Sequence, residues 1–236
     1  MKILPILLFF ISILFTSEIL MAQESDASNK KADTLQAPIK YGLRVGLDVA
    51  KPIRTLLDED YSGFELIADF NISKRLYVAA ELGSEEKDYF EPNLNARTKG
   101  SYLKVGGDFN ANRNWIGLNN IINIGLRYGI SAFDQELLAY NIYSTDQTFN
   151  PTFRTDALEF NGLTASWVEL IVGLKTEVLK NLYLSLNFQI KHMVSEETPE
   201  NFGNLFIPGF GKTNDYSEFG AGYSYSISYL IPLFTK

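Results

Sequence analysis

The chain has 236 residues, a formal charge of −7 and 46% hydrophobic residues, with no cysteine and a single histidine, His192. The length suits one large domain or two small ones, and the ordinary apolar content excludes a bundle of several long membrane helices. The acidic balance argues against nucleic acid as a partner. The missing thiols exclude disulfides, thiolate metal sites and an N-terminal lipidated cysteine, and one histidine excludes a His-rich metal site within one chain.

Met1-Lys2 is a short basic start. An apolar run then ends at Leu20-Met21-Ala22, a small-residue cleavage pattern. Residues 1–22 are therefore expected to be a secretory signal peptide. Residues 23–40 are polar and read as a flexible periplasmic lead-in. Residues 41–236 are expected to form one barrel domain.

From residue 41 apolar and mostly polar side chains alternate with a period of two, the period of a strand. Strand one covers residues 41–50, with Tyr41, Leu43, Val45, Leu47 and Val49 on one face. Strand two covers residues 63–72, and a turn at Ser73-Lys74 leads to strand three, whose apolar face runs from Leu76 to Leu82. Residues 84–99 read as a long polar loop. Strand four sets Leu103, Val105 and Phe109 against Tyr102, Lys104, Gly106 and Asp108. A short turn at Asn112-Arg113-Asn114 precedes strand five, with Ile122, Ile124, Leu126, Tyr128 and Ile130 on its apolar face. Residues 134–162 read as the longest loop. Strand six carries Val168, Leu170, Val172 and Leu174, and a turn at Lys180-Asn181 leads to strand seven at residues 182–190. Residues 195–217 form another long connection, and strand eight runs from Phe219 to Leu233.

Eight such segments, joined by connections that alternate long and short, predict an all-β chain. The expected fold is an eight-stranded antiparallel up-and-down transmembrane β-barrel. In bacterial outer-membrane barrels the short turns face the periplasm and the long loops face outside. An even strand count then puts both termini on the periplasmic side.

A soluble ligand-binding barrel alternates too, but with its apolar face inward. The second face decides against it. This face is rich in glycine, which suits a crowded lumen. It also carries Arg44, Lys104, Arg127, Lys175 and Lys191 together with Asp48, Glu65, Asp69, Glu81, Asp108 and Glu169. Near-balanced charge of this kind predicts a lumen filled by ion pairs, because an unpaired buried charge is costly.

Motifs for chemistry are sparse, and no cofactor and no metal site are expected. Phe210-Gly211-Lys212-Thr213 resembles the end of a phosphate loop, but the required earlier glycine is Phe206. Asp58-Glu59-Asp60 lacks calcium-loop spacing and reads as a solvated tip. His192 is the one residue on which an enzyme could be built. Small lipid A deacylase barrels place His and Ser on their outer wall. Here the nearest serine, Ser195, falls on the opposite face of the strand, so His192 reads as an interfacial polar residue.

The Ala22-Gln23 junction, the opening strand at residues 41–49 and the closing strand at residues 223–233 resemble an uncharacterised small outer-membrane β-barrel family of Bacteroidota. The resemblance extends over about residues 41–234 and carries no catalytic signature. In that phylum small barrels occur as accessory subunits of large outer-membrane machines, including protein-assembly and secretion complexes. The resemblance therefore implies outer-membrane lipid and lipopolysaccharide as surroundings, and other outer-membrane or surface proteins as partners.

The loop composition points the same way. Tyr89, Phe90, Tyr140, Tyr143, Phe149, Phe153, Phe160, Phe202, Phe206 and Phe210 fall in the expected outside loops. Aromatic residues are enriched at interface cores, and loops on a rigid scaffold commonly carry binding. Packing of loop against loop is the other use of the same residues. The expectation is a non-enzymatic barrel that binds other envelope proteins. A lipid-modifying enzyme using His192 and a soluble periplasmic ligand-binding barrel are the alternatives.

Overall fold

The computed structural model describes residues 40–111, 120–141, 153–200, 202–214 and 216–235. The expected signal, the lead-in up to residue 39, the turn at residues 112–114, Tyr143, Phe149 and the side chain of Phe153 lie outside the described residues.

Eight long strands make the wall: β1 (Lys40–Asp48), β2 (Tyr61–Asn71), β3 (Leu76–Glu91), β4 (Leu94–Asn110), β5 (Ile121–Asn141), β7 (Leu158–Leu179), β8 (Leu182–Glu196) and β11 (Phe219–Thr235). Between them lie one helix, α1 (Ala50–Leu57), and three two-residue strands, β6 (Phe153–Arg154), β9 (Phe206–Ile207) and β10 (Gly211–Lys212). The long strands pair antiparallel in the order β4-β3-β2-β1-β11-β8-β7-β5, and β4 also pairs with β5. The sheet closes on itself, so the wall is an up-and-down barrel in which the first and last long strands meet.

The tight connections sit at one end, the turn end. Asn181 at the β7–β8 turn takes a φ of 65°, a conformation that Asn tolerates, and its N–H donates to Glu177 Oε1 at 2.7 Å. At the opposite end, the loop end, β3 and β4 form a hairpin closed by Pro92-Asn93. The expected loop at residues 84–99 is therefore mostly strand, and β5 and β7 likewise extend into residues 134–162. Cross-strand charge pairs favour the β3–β4 extension. Asp88 stands opposite Arg97, which donates to it at 2.6 Å from Nε, and Glu86 lies 3.3 Å from the same nitrogen.

Alternation inverts along the barrel axis. Toward the turn end, the outward positions are apolar and exposed on every long strand, including Val45, Leu66, Val78, Val105, Leu126, Leu170, Leu186 and Ile227. An apolar band that encircles a protein is far larger than the patches soluble proteins leave in water. It matches the lipid-facing belt of a membrane barrel. Toward the loop end the pattern reverses. Ser84, Lys99, Ser101 and Thr164 point outward, while Phe133, Leu137, Ala139, Ala165, Trp167 and Met193 are buried inside. The barrel is thus a membrane protein at one end and resembles a water-soluble β-protein at the other. The polar interior expected from the alternation is found within the band, and at the loop end apolar side chains share the interior with Glu85, Thr98 and Gln135.

A closed strand ladder resists detergent until heated. Folded and boiled forms should therefore migrate differently on a denaturing gel, and equal migration of a refolded sample would count against the closed barrel.

Candidate functional site in the lumen and its plugged mouth

Inward-facing side chains on six strands build three stacked charge clusters. Nearest the turn end, Asp69 on β2 receives Arg44 from β1, with Nη2 to Oδ1 at 2.6 Å, and Lys175 from β7, with Nζ to Oδ2 at 2.6 Å. The Arg44 guanidinium also faces the Tyr77 and Tyr183 rings at 5.2 and 4.8 Å. Planar guanidinium suits that sandwich, because it stacks on rings while its edge holds a carboxylate.

The middle cluster centres on Lys104 of β4. Its ammonium lies 2.5 Å from Glu81, 3.3 Å from Glu65 and 3.8 Å from Glu169. Arg127 on β5 joins by reaching Glu81 at 3.2 Å and Asp108 at 2.8 Å. Tyr102 donates its hydroxyl to Glu65 at 2.5 Å, and Trp167 donates its indole N–H to Glu169 at 3.3 Å. These side chains are almost wholly removed from solvent; Lys104 is 2% exposed and Glu169 0%. Between the lower and middle clusters a cavity of about 30 Å³ remains, lined by Asp69, Asp108, Arg127 and Lys175 among others. The space is water-sized.

The upper cluster joins the wall to two connections. Lys51, on α1, reaches inward to Glu85 at 2.5 Å and Glu65 at 3.8 Å. Burial pulls its ammonium pKa down, but the Glu85 and Glu65 carboxylates outweigh that and hold it above the usual lysine value. Glu85 also accepts the Tyr61 hydroxyl at 2.5 Å and the Gly209 N–H at 2.6 Å. Lys191 donates to the carbonyls of Gly209 and Phe210 at 2.8 and 3.1 Å.

Gly209 and Phe210 belong to the connection between β8 and β11, which enters the mouth as a plug. Its small β9–β10 hairpin buries Phe206, Ile207 and Phe210, and Phe210 meets Trp167 edge-on with centroids 6.0 Å apart. Gln135 anchors the approach by donating to Gly203 O at 3.2 Å and accepting Leu205 N–H at 3.1 Å. At Gly209 the chain takes a φ of +83°, and a Cβ there would come 2.5 Å from the Tyr102 ring. Only glycine fits that turn and that contact.

All eleven charged residues that the alternation assigns to the lumen are buried inward-facing residues, and nine of them join the ion-pair clusters. Asp48 instead accepts the backbone N–H groups of Ala50 and Tyr225, and Lys191 bonds only to carbonyls. Lys51 and Glu85 were missing from that reading. Glu85 continues the inward phase of Glu81 through Gly83, a signal obscured by treating residues 84–99 as a loop. Lys51 and Thr55 share one side of an amphipathic turn, four residues apart.

The loop aromatics divide. Phe206 and Phe210 are buried in the plug and present nothing to a partner, a correction to their expected role. The physical reason is the apolar interior at the loop end, where Phe210 packs with Trp167, while Phe206 is buried in the β9–β10 hairpin. Phe202 stacks on Phe160 at 6.4 Å, and Tyr89 donates to Leu205 O at 3.3 Å, so both also pack loop against loop. Phe90 is exposed at the β3–β4 hairpin, and Tyr140 is half-buried near the end of β5. His192 lies outward on β8, with its ring 4.8 Å from Phe219 and its Nε2 3.9 Å from Glu218. A register shift between Ser166 and Trp167 sets Ser195 opposite Ser166 and His192 opposite Val168, so Ser195 shares the outward face of His192, a correction to the expected opposite face, with the bulge in β8 as its cause. Among the described residues no group of three His, Asp or Glu side chains gathers as metal ligands.

A family model described as "Domain of unknown function (DUF6048)" matches residues 6–236, and the chain belongs to that family. No curated protein matches the sequence. Among solved structures it is similar to Ail, the attachment invasion locus protein of Yersinia pestis, at 8% identity and a TM-score of 0.39, covering 81% of this chain and 97% of that one. It is similar to Neisserial surface protein A at 10% identity and a TM-score of 0.39, covering 83% and 100%. It is also similar to CarO2 of Acinetobacter baumannii at 9% identity and a TM-score of 0.43, covering 83% and 100%. The barrel assignment rests on the strand pairing described above.

Two substitutions test the site. Lys104→Met removes the cation shared by three buried carboxylates and is expected to cost about 3–5 kcal/mol in equilibrium unfolding, the usual penalty for breaking a buried pair. A loss below about 1 kcal/mol would mean that the cluster does not hold the barrel together. Gly209→Ala is expected to undock the plug, seen as a red shift of tryptophan emission and new proteolysis within residues 202–213. Unchanged emission and protection would contradict the packing against Tyr102 and Trp167.

Proposed function

We propose that this member of the DUF6048 family is an integral outer-membrane barrel that works by binding other envelope proteins and not by catalysis or conduction. In this reading the loop end faces outside and both termini face the periplasm. The observation that carries it is the fixed mouth. Glu85, Lys191 and Gln135 lock the plug in place, so the loop end offers a preformed surface. Preformed surfaces bind with little ordering cost. Phe90 and Tyr216 stand exposed on that surface, 59% and 97% respectively.

The other readings find less support. A pore would need a lumen free of the Lys104 and Arg127 clusters. A hydrolase built on His192 would need a nucleophile within hydrogen-bond reach, whereas its neighbours are Glu218 and Phe219. The resemblance to Bacteroidota barrels favours an accessory role in a larger outer-membrane assembly, such as a protein-assembly or secretion complex.

Extraction from native membranes in mild detergent, followed by affinity capture and mass spectrometry, should recover stoichiometric partner proteins. Recovery of the barrel alone in good yield would sink the proposal. His192→Ala should leave the outer-membrane lipid profile unchanged, and an altered profile would revive the enzyme reading. Planar bilayers with purified protein should show no steady nanosiemens channel.

A further inference from the structure

The barrel wall has a seam near the loop end. β1 stops at Asp48, opposite Ser226, whereas β11 continues to Phe219. Helix α1 stands where β1 would have run. On one side Thr55 Oγ1 accepts the Gly63 N–H of β2 at 3.0 Å. On the other, Asp48 Oδ1 accepts the Tyr225 N–H at 3.1 Å, and Val49 N–H donates to Tyr225 O at 2.7 Å. Among the described residues, residues 219–224 of β11 have no strand partner on the α1 side.

A cavity of about 160 Å³ opens at this seam. Its lining runs from Ala221 and Tyr223, which belong to the outward phase of β11, to Lys191 in the interior. Gly222 stands between them. A Cβ at Gly222 would lie 3.2 Å from Lys191 Nζ, so the missing side chain leaves the ammonium close to the opening.

The charge around the cavity is uneven. Lys51, Arg54, Lys104 and Lys191 line it against Asp48, Glu65 and Glu85, four cations to three anions. Glu65 and Glu85 are already engaged by Lys104, Lys51 and two tyrosine hydroxyls. Lys191 is 6% exposed, yet among the described residues no carboxylate pairs with it. Two of its three N–H donors reach the plug carbonyls, and the third has no hydrogen-bond acceptor among the described residues. A buried ammonium without a counter-ion is costly, and an incoming anion removes that cost.

The lips of the opening are apolar. Ala221 and Tyr223 of β11 form its outward edge, and their cross-strand partners Ile190 and Phe188 of β8 continue it as exposed apolar surface. An anionic head in the cavity with a hydrocarbon tail along these lips satisfies both halves of the seam. We propose that the α1–β11 seam is a lateral binding site for a single-chain amphiphile with a carboxylate or phosphate head, whose head pairs with Lys191. The site rests on the membrane-barrel reading, requires the folded barrel with its apolar band covered by lipid or detergent, and is independent of any protein partner.

The test is calorimetric titration of the refolded full chain in nonionic detergent. Oleate supplies the carboxylate, 1-oleoyl lysophosphatidate the phosphate, and inorganic phosphate the tail-less anion. At least one amphiphile should bind saturably at one per barrel, and inorganic phosphate should not bind. Lys191→Gln should weaken binding at least tenfold, Lys191→Arg should retain it, and Ala221→Phe should weaken it by blocking the lips. The heat-dependent gel shift monitors folding of every variant. If Lys191→Gln does not fold, Ala221→Phe, which removes no charge, decides the outcome. Unsaturable partitioning, equal binding by inorganic phosphate, or unchanged affinity in folded Lys191→Gln or Ala221→Phe would overturn the proposal. Absence of the gel shift in the unsubstituted chain would overturn the membrane-barrel reading instead.

Discussion

Neutralisation of buried charge at Lys104 is the interaction on which the rest of this molecule depends. One ammonium from β4 faces carboxylates carried by β2, β3 and β7, and Arg127 of β5 completes the pairing through Glu81. Charges this deep persist only when matched, because each costs several kcal/mol unpaired in a protein interior, to order of magnitude. The cluster therefore ties together strands that are not neighbours in the sheet. It also fills the middle of the bore with paired, buried side chains.

A filled centre leaves the mouth as the place where the molecule can vary. Above the apolar band the interior becomes a small apolar core of Phe133, Ala165, Trp167 and Met193, and the β8–β11 connection is seated on it. Glu85 and Lys191 hold the backbone of that connection from two sides, one accepting an N–H and the other donating to carbonyls. The mouth thus combines a rigid plug, tall strand walls and one interruption of the wall beside α1. A rigid scaffold with a built outer surface is suited to recognition.

Much of the barrel was legible in the sequence because a period of two records both faces of a strand. Leu126 and Arg127 report lipid and lumen by adjacency alone, and the same alternation picked out the lumen charges from Arg44 to Lys191. The loop end was harder to read. There the outward face turns polar and the inward face apolar, so residues such as Glu86, Lys87 and Asp88 looked like loop although they continue β3. Phe206 and Phe210 looked available for the same reason. The burial of Phe210 depends on packing with Trp167 and Tyr102, far away in sequence, which no local pattern encodes. Helix α1 was also missed, because its eight residues lie between strands and its inward anchor is the single residue Lys51.

The inversion of the two faces along the barrel axis is tested most directly by cysteine mapping, which the cysteine-free chain permits without background. Phe90→Cys, Leu126→Cys and Lys180→Cys place one thiol at the loop end, one on the apolar band and one at the turn end. In intact cells a membrane-impermeant maleimide should label the first and spare the other two. Lys180→Cys should become reactive once the outer membrane is permeabilised, and Leu126→Cys should stay protected while the bilayer persists. Rapid labelling of Leu126→Cys in intact membranes, or of Lys180→Cys with Phe90→Cys protected, would contradict the membrane-spanning band and its orientation.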